Sequence, residues 1–139
     1  MRPWTVAILI AFSLCFAGVA TKAQAQTISK PVHDIALKSG ETTEFSDVFW
    51  IGHNCKSLLT GTPEVEVLDG PAGVTAVIKP ATVVPRGLNC TNGVRGGKLV
   101  IVAEDIQDHG TATMLLRVNF KTKSGARQRS VTLRLALVP

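Results

Sequence analysis

The last third of the chain alternates apolar and polar residues with a period of two. Ala112, Met114, Leu116, Val118 and Phe120 fall on one side of a run over 111–121. Val131, Leu133, Leu135 and Leu137 fall on one side of a run over 127–138. Period two is the signature of a strand with one buried face. Ser124-Gly125 lies between the runs as a turn pair. A two-residue loop there predicts a hairpin in which Val118 faces Val131, Leu116 faces Leu133, Met114 faces Leu135 and Ala112 faces Leu137. A slip of one residue would set apolar side chains against polar ones.

Upstream, the same reading finds His33–Lys38, with Ile35 and Leu37 on one face. A second run follows over 43–51, apolar at Phe45, Val48, Phe49, Trp50 and Ile51. Its alternation is broken, which predicts a bulge or a short helical turn near Asp47. The runs 64–68 and 73–79 flank Asp69-Gly70-Pro71-Ala72, and this turn chemistry predicts a second hairpin. Lys98 to Ala103 is apolar at Leu99, Val100, Ile101 and Val102, as expected of a central strand buried on both faces. Residues 80–97, rich in Pro, Gly and Asn, read as a long loop. About seven short strands without a helical period predict an all-β fold, an antiparallel β-sandwich.

The first 25 residues read differently. Arg2 precedes a fifteen-residue apolar run, Val6 to Ala20, and Ala23-Gln24-Ala25 fits the small-x-small cleavage rule. The expected organisation is a cleaved signal peptide over 1–25 and one domain over 26–139, periplasmic or secreted, with no transmembrane segment after cleavage. An uncleaved anchor is the alternative, but the run falls short of the ~20 residues that span a bilayer. Cleavage removes Arg2 and Lys22, lowering the formal charge from +5 to +3. It also removes Cys15. The remaining pair, Cys55 and Cys90, reads as one disulfide in an exported protein. A redox or metal pair is the other reading, and there is no C-x-x-C to favour it.

Trp50-Ile51-Gly52 before Cys55, then Gly61-Thr62-Pro63-Glu64-Val65, then Asn89-Cys90, resembles a group of small exported bacterial proteins with immunoglobulin-like sandwich domains and no assigned activity. The resemblance implies a fold and a location but transfers no functional residue. The chain departs from a true immunoglobulin domain in that Trp50 precedes both cysteines instead of lying between them. The 35-residue separation is short for a bridge between sheets, so the disulfide is expected to staple two loops at one end.

Little in the chain points to catalysis, and no residue pattern calls for a cofactor. Gly93-Val94-Arg95-Gly96-Gly97-Lys98 is one residue short of a phosphate-binding loop, and Leu99 stands where Ser or Thr is needed. It reads as a Gly-rich turn entering a strand. His109 near Asp105 and Asp108 reads as a solvated turn. With 5% aromatic residues and no Tyr, a stacking platform for single-stranded nucleic acid is not expected, and the small net charge and export signal argue against any nucleic-acid partner.

Two surfaces remain as candidates. The predicted hairpin register places Arg117, Lys121 and Arg134 together on its outward face, with Lys123, Arg127 and Arg129 around the turn. The disulfide would bring His53, Asn54 and Lys56 close to Arg86, Asn89, Asn92 and Arg95. Either surface suits an anionic partner of the cell envelope, whether glycan, lipid or protein. The expected function is therefore a non-enzymatic binding module. The alternatives are a structural domain that associates through an edge strand with another exported protein, or a weak metal-binding protein or enzyme.

Overall fold

The computed structural model describes residues 32–139; the signal-peptide reading lies outside the described residues. Seven strands form two sheets: β1 (Val32–Lys38), β2 (Thr42–Val48), β3 (Glu64–Asp69), β4 (Val74–Val83), β5 (Val94–Ala103), β6 (Gly110–Thr122) and β7 (Gly125–Val138). One sheet has the order β1-β7-β6-β3 and the other β2-β5-β4. The described residues contain no helix.

The inward positions of β6 and β7 supply the centre of the core. Met114, Leu116, Val118, Phe120, Leu133 and Leu135 are buried there against Leu37, Leu99 and Ile101 from the other strands. Burial of each such side chain contributes roughly 1.5–3 kcal/mol relative to exposure. β5 is the central strand of its sheet, as its two apolar faces predict. Leu99 and Ile101 join the core, while Val100, of opposite alternation, is also fully buried. The broken pattern of the second run resolves as a register shift between Glu44 and Ser46. This bulge takes up one residue at Phe45 and lets both Phe45 and Val48 pack on the core.

Four expectations need correction. The hairpin pairs two residues away from its predicted register: Leu116 faces Val131, Met114 faces Leu133, Ala112 faces Leu135 and Val118 faces Arg129. The loop is Lys123-Ser124, closed by the Thr122–Gly125 pair, and a hydrogen bond from Thr122 Oγ1 to the Gly125 carbonyl (2.7 Å) secures it. Positive φ falls on Gly125 (111°), after the loop, and neither loop residue takes the positive φ that a type I′ turn demands. A shift of two preserves every inward position, so the core is as predicted. The runs 64–68 and 73–79 do not form a hairpin, because β3 pairs with β6 and β4 pairs with β5. Their shared turn carries the chain from one sheet to the other.

The sandwich is not wholly antiparallel, since β1 lies parallel to β7 from Val32↔Thr132 to Lys38↔Val138. Finally, the long loop is shorter than read. β4 and β5 remain paired out to Val83↔Val94, leaving only 84–93 as connection. Gly96 and Gly97 are therefore strand residues, not turn residues. A Cβ on Gly96 would collide with the Val48 carbonyl, and one on Gly97 would lie 2.5 Å from Ile78 Cγ2. Glycine is what lets the three strands of this sheet converge there.

Candidate functional site

Antiparallel alternation places the β2–β3, β4–β5 and β6–β7 connections at one end of the sandwich. Hydrogen bonds join them. Lys123 N–H donates to the Leu58 carbonyl (3.0 Å), Thr60 N–H to the Lys121 carbonyl (2.9 Å), and the Ser57 hydroxyl to the Arg95 carbonyl (3.0 Å). The Cys55–Cys90 disulfide links the first two connections, as expected of a staple at one end, with Cα atoms 5.7 Å apart. Cys55 and its neighbour across the bridge, Asn89, both adopt left-handed backbone (φ 58° and 55°). Such strain in two non-glycine residues persists only where the surroundings hold it.

The disulfide divides two hollows. On one side, Asn54, Lys56, Asn89, Asn92 and Arg95 line a polar hollow of about 450 Å³. On the other, Ile51, His53, Leu58 and Leu88 line an apolar hollow of about 480 Å³. Among the described residues, Leu88 is the most exposed large apolar side chain, at 54%. A smaller hollow of about 180 Å³ continues past Ile51 and Leu88 to Phe49, Trp50 and Arg129.

The predicted loop residues are thus only partly together. Asn54, Lys56, Asn89, Asn92 and Arg95 share one hollow, and His53 lies across the disulfide from them. Arg86 stands apart, over the β2 edge beside Glu44, Asp47 and Lys98. The predicted hairpin cluster is not assembled. Arg117 is opposite Ser130, so Arg134 lies four residues further along β7. Each of these arginines has a carboxylate on the neighbouring strand: Arg117 with Glu66 at 3.6 Å, and Arg134 with Asp34 at 3.4 Å. Lys121 keeps its place near the hairpin tip, exposed.

The structure matches no family model, no curated protein and no solved structure. The site must therefore be read from its own chemistry. Residues 49–63, 84–97 and 119–133, which build this end, hold seven cations: Lys56, Arg86, Arg95, Lys121, Lys123, Arg127 and Arg129. They hold no carboxylate, but carboxylates border them: Glu64 lies opposite Asn119, Asp47 lies opposite Lys98, and Arg86 shares a hollow with Glu44 and Asp47. All seven are exposed, and among the described residues none lies within 4.0 Å of a carboxylate oxygen. The opposite end carries Glu41, Asp69, Glu104, Asp105 and Asp108 against Lys38 alone. Charges of opposite sign are paired along the sides, as in Lys98 with Asp47 (3.0 Å) and Glu44 (3.7 Å). The hydrogen bond to Asp47 and then its charge hold the Lys98 ammonium above its usual range.

Sequence reasoning missed this separation of charge. It placed Arg129 among the cations around the hairpin turn but missed its contact with two rings: its guanidinium carbon sits 5.9 Å from the Trp50 ring centroid and 5.7 Å from that of Phe120. Arg129 shares the inward alternation of Val131 and Leu133, but it lies where the core runs out. It caps the two aromatic rings while keeping its charge at the surface. Among the described residues, no three His, Cys, Asp or Glu side chains gather as a metal site.

Proposed function

We propose that the protein is an exported, non-enzymatic binding module with an immunoglobulin-like sandwich fold, and that its stapled end holds an anionic component of the bacterial cell envelope. The single observation that carries this reading is the excess of exposed cations at that end, seven in its three connections against only Glu64 and Asp47 at their borders. Such one-signed clusters create a field that raises the local concentration of anions and speeds their encounter. The strand orders support the fold assignment. Taking β2 to β7 as strands B to G gives sheets B-E-D and C-F-G, the two-sheet arrangement of immunoglobulin domains, with the first strand moved beside the last. Loops at one end of such sandwiches are their usual binding surface.

The test is binding of dextran sulfate, a soluble polyanion, at increasing salt. The wild type should bind with an affinity that falls as salt rises. Lys56→Glu with Arg95→Glu should weaken binding about tenfold or more, because each reversal replaces attraction with repulsion in the polar hollow. Arg117→Glu with Arg134→Glu should act less strongly, since both arginines already face carboxylates. Equal affinity in the wild type and the Lys56/Arg95 variant would overturn the reading.

A further inference from the structure

The two hollows beside the disulfide differ in chemistry but share Cys55 and Cys90 as a wall. The polar one offers the Lys56 ammonium and the Arg95 guanidinium with the amides of Asn54 and Asn92. These are donors for a phosphate, which Arg binds through its planar fork and Lys as a point charge. The apolar one offers Ile51, Leu58 and Leu88, and it continues beside Trp50 to Arg129. Leu88 projects from a connection whose neighbours include Val84, itself 46% exposed. Ile51, Leu58 and Leu88 thus form one apolar surface beside the Lys56–Arg95 cations, and apolar surface rimmed by polar groups marks interaction sites. A sulfated or phosphorylated glycan would use the polar hollow and leave the apolar one empty. An anionic amphiphile would use both.

We infer that the occupant of this end is an anionic phospholipid at a membrane surface, with its phosphate in the Lys56–Arg95 hollow and the start of its acyl chain against Leu88 and Ile51. The inference rests on the anion-binding reading above and specifies its partner. The disulfide has a direct part in this arrangement. It fixes both hollows at once, so the headgroup and chain positions are held relative to each other before binding, which lowers the ordering cost of association. Surface electrostatics and apolar insertion then act together, as they do for interfacial anchors.

Co-sedimentation with vesicles tests it. The probes are vesicles containing phosphatidylglycerol, vesicles of phosphatidylcholine alone, and dextran sulfate as an anion without an acyl chain. The wild type should sediment with the phosphatidylglycerol vesicles and not with phosphatidylcholine. Leu88→Asn changes no charge and, at an exposed position, little stability. It should weaken vesicle binding about tenfold or more, the value of one buried leucine, and leave dextran sulfate binding unchanged. Trp50 emission should shift to shorter wavelength with phosphatidylglycerol vesicles in the wild type and not in Leu88→Asn. Wild-type vesicle binding by Leu88→Asn would overturn the lipid inference while leaving the anion reading in place. Binding of neither vesicles nor dextran sulfate by the wild type would overturn both. Equal binding to the two kinds of vesicle would overturn the requirement for an anionic headgroup.

Discussion

Arg129 occupies a position that alternation assigns to the core, yet its charge stays in water. The guanidinium covers Trp50 and Phe120 at the point where the two sheets stop enclosing side chains. Cation–π contacts at exposed sites contribute about 0.5–1 kcal/mol. Gly96 is more tightly constrained, because the Val48 carbonyl and Val83 Cγ2 (3.1 Å) lie where its Cβ would be. Gly96→Ala should lose about 1–3 kcal/mol by overpacking, measurable as a lower urea midpoint with an unchanged slope. A midpoint equal to wild type would show that β2 can move away from β5 without loss.

Lys98 gives a prediction in pH. It sits between Asp47 and Glu44 on one side and Lys79, its cross-strand partner, on the other. Its folded-state value is raised, chiefly by the hydrogen bond to Asp47. Its contribution is therefore complete below the ordinary lysine value and disappears as pH climbs through the raised one. The difference in stability between wild type and Lys98→Gln should be present at neutral pH and shrink under alkaline conditions. The effect is small at so exposed a site, and a difference that grew with pH would contradict the assignment.

At the scale of the elements, alternation revealed which side of each strand faces inward and little about where one strand lies along another. The β6–β7 hairpin shows why. Pairings two residues apart present the same inward faces, so the apolar pattern is satisfied by both. What separates them is turn conformation, and Ser124-Gly125 was a deceptive cue because Gly125 follows the loop instead of lying within it. That offset has a functional consequence. It sets Arg117 against Ser130, dissolves the expected cluster with Arg134, and brings Arg129 over Trp50. The apparent 64–79 hairpin misled for a related reason. A turn signal records a reversal of chain direction but not whether the next strand stays in the same sheet.

The disulfide was legible once the signal-peptide reading set Cys15 aside and left a single pair, and its place at one end from the short separation. Closing a loop with a sequence separation of 35 is worth about 4 kcal/mol in the chain-entropy model. Reduction should accordingly lower the melting temperature by roughly 15–25 °C in a domain of this size. A melting temperature unmoved by reduction would show that the loop hydrogen bonds alone hold this end together.

At the scale of the whole molecule, the separation of charge is the dominant feature. A formal +5 over the chain conceals an end with seven cations bordered only by Glu64 and Asp47, an end with five carboxylates and one cation, and mostly paired charges between them. The information was in the sequence, since acidic residues are missing from 49–63, 84–97 and 119–133. It becomes visible only when the topology gathers alternate connections at the same end. Composition averages over the chain, whereas a partner meets one end of it. The stapled loops supply the two hollows, and the β6–β7 hairpin supplies the additional charge that surrounds them.

Anion binding at the stapled end is read most directly from an amide chemical-shift titration of the isotope-labelled protein with dextran sulfate at low salt. Shifts should concentrate in 53–57, 86–95 and 121–129 and be reversed by added salt, with the turns at 39–41 and 104–109 unmoved. Shifts spread evenly over the molecule, shifts centred on the acidic end, or none at any concentration would contradict it.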